Sequence, residues 1–173
     1  MNLNLGSGQR PFGVGWVNVD IQEKWRDIAI EKGGTFVCGN MGELPYSSDS
    51  ADVVCCHHTL EHLGCNDAVP VVNEAFRTLK KGGSLLIFVP NMRALCQRWL
   101  TRELDDYNFF VNVYGAFMGN EADRHKWNYS IEGWTAIIHG AADWSAVKMF
   151  DWRTIDGADI ARDWWILGLE AVK

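Results

Sequence analysis

The stretch that decides the fold reads Leu3-Asn4-Leu5-Gly6-Ser7-Gly8, an apolar strand that runs directly into two glycines. Glycines at the carboxyl end of a first parallel strand let the backbone come close to a bound ligand. A second apolar strand at residues 17–19 is followed at once by Asp20. A carboxylate there accepts hydrogen bonds from both hydroxyls of a ribose lying across the strand ends. The two strands together predict a nucleoside-binding edge.

The loop between these strands weighs against a dinucleotide ligand. The dinucleotide fingerprint places a third glycine three residues after the second, where a helix opens to receive a pyrophosphate. Pro11 occupies that position. Only residues 6–16 separate the strands, near the minimum for a parallel crossover, which leaves little room for a regular helix. A nucleoside without pyrophosphate is therefore favoured, and a nicotinamide oxidoreductase is the weakest functional hypothesis.

Short β-like runs alternate with longer helical stretches along the chain, which is the pattern of an α/β domain. The run Leu85-Leu86-Ile87-Phe88-Val89 is continuously apolar, typical of a strand buried on both faces. No repeat, low-complexity segment or linker interrupts the pattern, so we predict one domain over 1–173. The predicted strands lie at residues 3–5, 17–19, 35–38, 52–56, 84–89, 146–150 and 165–172.

Three helices are predicted from apolar periodicity. Asn66 or Asp67 caps the first, and Pro70 is tolerated in its first turn. Lys80-Lys81 then opposes the negative end of the helix dipole, and Gly82 ends the helix. The other two helices are expected to begin near residues 91 and 130.

Composition restricts the function classes. The 173 residues carry a formal net charge of −6 with a pI near 5.3, which argues against a generalised nucleic-acid-binding surface. No apolar run of about 18 residues is present to span a membrane. The first residues lack the pattern of a signal peptide, so a cytoplasmic location is expected. The five cysteines favour free thiols over a disulfide framework, and Cys55 or Cys56 is expected to be a packing residue.

Further segments, taken with the glycine loop and Asp20, resemble the ordered motifs of class I S-adenosylmethionine-dependent methyltransferases. The resemblance covers residues 2–91 well and the remainder loosely. The matching segments are Leu3-Asn4-Leu5-Gly6-Ser7-Gly8, Trp16-Val17-Asn18-Val19-Asp20, Gly39-Asn40-Met41-Gly42-Glu43-Leu44-Pro45-Tyr46, Asp52-Val53-Val54-Cys55-Cys56-His57-His58-Thr59-Leu60-Glu61-His62-Leu63 and Phe76-Arg77-Thr78-Leu79-Lys80-Lys81-Gly82-Gly83-Ser84-Leu85.

The resemblance implies a doubly wound, mostly parallel, seven-stranded sheet in a three-layer α/β/α arrangement, with the last strand antiparallel. It also implies S-adenosylmethionine as cofactor, with S-adenosylhomocysteine as product, across the carboxyl ends of the first four strands. Asparagine stands at positions 4 and 40, where acids are common in the family. The methionine part of the cofactor would face the first strand and its glycines. Its ribose would face Asp20, its adenine would face Asn40-Met41, and its sulfonium would lie near His57. The implied cofactor-binding residues are Asn4, Gly6, Ser7, Gly8, Asp20, Ile21, Asn40, Met41 and His57.

Histidines follow the fourth strand, where the ligands of an α/β sheet meet. Methyl transfer is an in-line displacement, so positioning supplies much of the rate, and a general base helps when the acceptor is a hydroxyl. We predict His58 as that acid/base residue. The alternative for His57 and His58 is a loop histidine that donates to backbone. His62 is a possible partner for Glu61, although packing or capping is favoured for it.

No metal site is expected. The group Cys55, Cys56, His57, His58 and His62 matches no standard ligand spacing. Adjacent strand residues also point to opposite faces of a sheet, which separates the members of this group.

The segment 91–142 is long for the stretch between the fifth and sixth strands. Its helical and aromatic sequence makes it a candidate substrate cap. His125 and Lys126 are candidates to hold an acidic or sugar-like acceptor, and His125 is the second predicted catalytic residue. A solvated basic turn is the alternative. The aromatic residues from Tyr107 to Phe117 are expected in the core rather than in a pocket.

The leading hypothesis is methyl transfer to an unidentified small-molecule or glycan O or N acceptor. The alternative is a methyltransferase-like nucleoside-binding or interaction protein without turnover. A nucleic-acid methyltransferase is disfavoured by the charge. It is also disfavoured by Cys56-His57-His58-Thr59, which stands in place of an Asn-Pro-Pro-Tyr-like run.

Overall fold

The computed structural model describes residues 1–116, 120–154 and 165–173. Within this part of the chain, strands and helices alternate as the sequence pattern predicts. The strands are β1 (Asn2–Leu5), β2 (Trp16–Asp20), β3 (Thr35–Cys38), β4 (Ala51–His57), β5 (Leu79–Pro90), β6 (Ala146–Met149) and β7 (Ile166–Val172). The α-helices are α1 (Arg26–Glu31), α2 (Cys65–Thr78), α3 (Met92–Leu100), α4 (Asp106–Tyr114) and α5 (Ile131–Ala141).

All seven strands form one sheet, in the order β3-β2-β1-β4-β5-β7-β6. The first five strands in this order are parallel, β7 runs antiparallel to β5, and β6 runs antiparallel to β7. Leu5 lies beside both Val19 and Cys56, and Asp20 lies beside Cys38. The carboxyl ends of the first four strands therefore meet at one edge of the sheet, and the predicted doubly wound topology is confirmed.

The two faces of the sheet carry cores of different size, which gives the three-layer α/β/α arrangement. The principal core contains Leu3, Leu5 and Val54 from the strands, packed against Val72 of α2 and Trp134 of α5. The smaller cluster on the other face contains Phe12, Cys55, Leu86 and Phe88.

The short crossover from β1 to β2 contains no helix, as its length predicts. Asn18 secures it instead. The Asn18 side chain accepts from the Phe12 backbone N–H and donates to the Phe12 carbonyl, both at 2.8 Å. This two-way amide contact holds the buried Phe12 over the sheet, so that loop residues cover a face where a helix usually lies.

Helix α2 differs from the prediction at both ends. It begins at Cys65 with Gly64 at the N-cap position, so neither Asn66 nor Asp67 caps it. It ends at Thr78 because Leu79 already pairs with Ala51 in the sheet. The Lys80-Lys81 and Gly82 positions predicted as a helix end therefore belong to β5, where the Lys80 Nζ binds the Asp52 carboxylate at 2.7 Å.

The segment 91–142 divides into two parts. Helix α3 begins after Asn91, whose side chain caps it by accepting from the Ala94 N–H, and α5 begins after Ser130, both as predicted. Trp134 and Ile138 of α5 lie in the principal core. Helix α5 is therefore part of the core of the domain. Among the described residues of this segment, α3, α4 and residues 120–128 remain the candidates for a cap, although Leu95 and Phe109 of these helices are buried.

The aromatic residues of α4 do not all pack in the core, which corrects the prediction for 107–117. Phe109 is buried and stacks on Trp99 with ring centroids 4.6 Å apart. Tyr107, Phe110 and Tyr114 are exposed. Among the described residues, α4 packs against α3 through Phe109, and its other aromatic side chains are exposed. Phe117, also in this prediction, lies outside the described residues.

All five cysteines are free thiols, as predicted. Burial raises the pKa of Cys56 to about 12 and places that of Cys55 well above its usual value, so both act as packing residues. Among the described residues, the helices are too short or too polar to cross a membrane.

Candidate functional site

The turn after β1 requires glycine for two reasons. Gly6 has a φ of +66°, in the left-handed region that favours glycine. A Cβ at Gly6 would also lie 2.2 Å from the Cγ2 of Thr59. Thr59 itself follows β4 and donates its hydroxyl to the Leu5 carbonyl at 2.8 Å. The glycine loop is therefore locked to the end of β4, and the backbone of both segments lines the same edge.

We expect Gly6→Ala to lower the free energy of unfolding by about 2 kcal/mol, from left-handed strain and overpacking against Thr59. Gly8→Ala is the matched control, because Gly8 also has a positive φ but a Cβ there meets no atom within 4 Å. It should lose only about 1 kcal/mol. Urea unfolding measures both changes. Equal losses in the two variants would contradict the contact with Thr59.

Asp20 ends β2 and organises the loop. Its two carboxylate oxygens accept from the backbone N–H groups of Gly8 and Gln22, each at 2.8 Å. Asp20 is 7% exposed. A carboxylate has about four acceptor sites, so roughly two remain for the two ribose hydroxyls. The position thus fits the predicted ribose contact, and Asp20 has a second role that the sequence did not reveal.

Two buried polar atoms beside the loop have no hydrogen-bond partner in residues 1–116, 120–154 and 165–173. They are the Asn4 Oδ1 and the Ser7 Oγ. Asn4 is 1% exposed, and its amide Nδ2 donates to the Asn18 Oδ1 at 2.9 Å. Unpaired buried polar atoms are costly, and a ligand with polar groups satisfies them. The residues present therefore fit the polar methionine part of S-adenosylmethionine.

The residues predicted for the adenine lie at the ends of β2 and β3. Ile21 is 75% exposed at the sheet edge, an unusual position for a large apolar side chain. Asn40 uses its side chain to accept from the Gly42 N–H at 3.0 Å, which fixes the turn after β3. Met41 is partly buried against the principal core. Ile21 and Met41 thus provide apolar surface at the ends of β2 and β3. Their contact with adenine stays a prediction.

His57 packs inside the smaller hydrophobic cluster. Its ring lies 6.0 Å from that of Phe12 and 5.7 Å from that of Phe88. Strand alternation explains this position, because His57 shares a sheet face with Cys55. The ring supports the loop over the sheet. Its predicted approach to the sulfonium stays a prediction.

His58 forms the clearest chemical arrangement at this edge, a buried pair with Glu61. The His58 Nδ1 lies 2.9 Å from the Glu61 Oε1, and the Glu61 side chain is fully buried. The His58 Nε2 is buried and has no hydrogen-bond partner among the described residues. His58 has a φ of +53°, uncommon for a residue other than glycine, and its N–H donates to the Phe88 carbonyl at 2.9 Å. The strained backbone turns the ring toward Glu61.

The carboxyl group of Glu61 is held in its charged form. Burial raises the pKa of Glu61. The hydrogen bond from His58 and the nearby charges of His62 and His125 lower this pKa by more than burial raises it, so the net shift is downward. A charged carboxylate on Nδ1 keeps the proton there and leaves Nε2 as a base. The sequence left a pair of Glu61 with His62 as the less favoured alternative to packing or capping, and the hydrogen bond to Glu61 is made by His58.

His125 reaches the same place from the candidate cap. Its ring contacts that of His62 with centroids 4.8 Å apart. The backbone N–H groups of Lys126 and Trp127 both donate to the Glu61 carbonyl, at 2.8 and 3.2 Å. Burial lowers the pKa of His125. Both predicted catalytic histidines therefore surround Glu61, a residue whose importance the sequence did not show.

Comparison with known proteins agrees with this fold. A family model described as a methyltransferase domain matches residues 9–87, which include β2 to β4, α2 and most of β5. This match covers less than half of the chain, so the chain is similar to a methyltransferase domain over β2 to β5. The methyl donor of this family is S-adenosylmethionine.

Individual relatives of the methyltransferase domain are distant. A probable S-adenosylmethionine-dependent methyltransferase of Mycolicibacterium smegmatis is 43% identical over 53 residues, and this match covers 31% of the chain and only 20% of that protein. A SAM-dependent methyltransferase from Archaeoglobus fulgidus superposes with a TM-score of 0.65 at 16% identity, covering 99% of this chain and 85% of that one. Magnesium protoporphyrin IX methyltransferase from Synechocystis, solved with bound S-adenosylhomocysteine, gives 0.57 at 16% identity, covering 100% and 73%.

Proposed function

We propose that this methyltransferase domain transfers the methyl group of S-adenosylmethionine to an oxygen or nitrogen of a small-molecule or glycan acceptor, with His58 as general base. The observation that carries the proposal is the His58–Glu61 pair, with a 2.9 Å contact on Nδ1 and a buried Nε2 that lacks a partner. When bound, the cofactor supplies a methyl group activated by its sulfonium.

The position of His58 supports this role. His58 comes directly after β4, and Thr59 links that turn to the end of β1 beside the glycine loop. A base at Nε2 therefore lies at the same sheet edge as the loop that fits the cofactor. An acceptor hydroxyl that donates to Nε2 satisfies the buried nitrogen. When the acceptor oxygen takes up the methyl group and the bond from that group to the sulfonium sulfur breaks, the His58 Nε2 would accept the hydroxyl proton.

The surroundings of His58 favour a compact acceptor with a flat ring. The ring of Trp165 lies 5.0 Å from that of His58 at an interplanar angle of 34°. Aromatic surfaces of this kind stack on sugar or aromatic rings, whereas the net charge of −6 disfavours a polyanionic nucleic acid.

The test uses labelled methyl transfer from S-adenosylmethionine to a panel of phenols, catechols, methyl glycosides and amines. With an acceptor that is methylated, His58→Ala should lower kcat by about 10²- to 10⁴-fold, the usual contribution of a general base. The affinity for S-adenosylhomocysteine should stay nearly unchanged. His139→Ala, which removes an exposed histidine of α5, is the matched control.

Two results would contradict the proposal. An unaltered kcat in His58→Ala would remove His58 from the chemistry. Absence of transfer to every class in the panel, together with tight binding of S-adenosylhomocysteine, would favour the alternative of a nucleoside-binding protein without turnover.

A further inference from the structure

Three side chains converge where the short 3₁₀ helix Leu60–His62 meets the segment that follows α4. They are Glu61, His62 and His125, and one carboxylate oxygen and one imidazole nitrogen from each histidine all lie within 4.8 Å of one another. We propose that these three residues bind a divalent transition-metal ion.

Both histidines are oriented as metal ligands are. The Nδ1 of His62 lies 3.2 Å from the Arg124 carbonyl oxygen, and the Nδ1 of His125 lies 2.8 Å from that of Asn112. A carbonyl only accepts hydrogen bonds, so each Nδ1 carries the proton and each Nε2 keeps its lone pair. Metal-binding histidines show this arrangement, in which a backbone carbonyl fixes the tautomer and the ring direction.

Glu61 provides an independent observation that points to a ligand. Its side chain is fully buried, and Oε1 is used by His58. Its other oxygen, Oε2, is buried and finds no hydrogen-bond partner within the part of the chain that the structure describes. Leaving a buried carboxylate oxygen unsatisfied is costly, and buried charges in proteins are paired or bind metals. A cation beside Oε2 satisfies this oxygen without disturbing the hydrogen bond to His58.

The donor set selects the class of metal. Two imidazoles and one carboxylate suit Zn²⁺, Fe²⁺, Co²⁺ or Ni²⁺, whereas Mg²⁺ and Ca²⁺ prefer oxygen ligands throughout. Bonds of about 2.0–2.2 Å place ligand atoms roughly 3.3 Å apart in a tetrahedral site, so small side-chain rotations complete the geometry. The two rings meet at 83°, so they approach the shared point from different directions.

This site differs from the group that the sequence brought to attention. Cys55 and Cys56 pack in opposite cores, which excludes them as joint ligands. His125 was absent from that group because it is distant in sequence. The fold brings it to Glu61 through the hydrogen bonds of Lys126 and Trp127 to the Glu61 carbonyl.

The test needs neither cofactor nor acceptor, so it can fail independently of the proposed methyl transfer. The full chain is freed of metal with a chelator and titrated with Co²⁺, whose visible spectrum reports coordination, and with Zn²⁺ by calorimetry. We expect a single bound ion per chain with nitrogen and oxygen ligands. His62→Ala and His125→Ala should each weaken binding at least about tenfold. His139→Ala should leave it unchanged.

Circular dichroism and the melting temperature show whether each variant folds, and His62→Gln and His125→Gln serve where alanine does not. His58→Ala should still bind Co²⁺ even if methyl transfer is lost, since His58 contacts the other carboxylate oxygen. Three results would overturn the proposal. They are failure of the intact chain to bind Co²⁺ or Zn²⁺, equal affinity in folded variants of His62 and His125, or a sulfur-to-cobalt charge-transfer band showing cysteine ligands.

Discussion

Asp20→Ala is expected to weaken binding of S-adenosylhomocysteine by at least about a hundredfold. Two hydrogen bonds from ribose hydroxyls to a charged carboxylate contribute about 1.5–3 kcal/mol each, and every 1.4 kcal/mol corresponds to a factor of ten. The loop contributes as well, because the N–H groups of Gly8 and Gln22 lose their acceptor. Isothermal titration calorimetry measures the affinity.

Two control variants separate the ribose contact from other effects. Asp27→Ala removes one exposed negative charge from α1, close in sequence, and should leave the affinity within about twofold. Asp20→Asn keeps one acceptor oxygen, and therefore one of the two hydrogen bonds to the loop, and should show an intermediate loss. Unchanged affinity in Asp20→Ala would show that the ribose lies elsewhere.

Trp134→Ala should lower the free energy of unfolding by about 3–5 kcal/mol, the range for removing a large aromatic side chain from a core. Trp134 is 1% exposed and lies in the principal core. Its ring meets that of Tyr129 edge-on, with centroids 5.2 Å apart. Its loss leaves a cavity between α5 and the sheet. Urea unfolding followed by circular dichroism measures the change without relying on tryptophan fluorescence.

Two further tryptophan variants make the test specific. Trp134→Phe should cost much less, because it keeps a ring and removes an Nε1–H that is buried without a partner. Trp127→Ala, at a position 43% exposed, should change stability by less than about 1 kcal/mol. A loss below about 1 kcal/mol in Trp134→Ala would contradict the assignment of α5 to the core.

The fold follows closely from local sequence signals. The continuous apolar run within β5 predicts a strand buried on both faces, as in a parallel sheet. The short strand before Gly6 and the short strand that ends at Asp20 are also recognised from neighbouring residues alone. The end of α2 could not be predicted in the same way. Lys80-Lys81 and Gly82 carry every local signal of a helix end, but pairing of Leu79 with Ala51 begins the strand earlier. Tertiary contact overrides propensity at that point.

The site was predicted in part, and the missing part has a physical reason. The glycine loop and His58 follow strands, so sheet topology alone brings them to one edge. Glu61 is identified only by its complete burial, which no sequence pattern shows, although the His-x-x-Glu spacing of 58–61 is a usable signal for a contact across one turn. The meeting of His125 with His62 depends on how the segment after α4 folds back.

The most direct test of the account is calorimetric titration of the purified chain with S-adenosylhomocysteine, with NAD as the comparison. The account predicts micromolar binding of S-adenosylhomocysteine and no binding of NAD, because the loop from Gly6 to Pro11 fits a nucleoside without pyrophosphate. Binding of NAD in preference, or of neither compound, would contradict the assignment of this edge to S-adenosylmethionine, and the role of His58 as a methyltransferase base would fall with it.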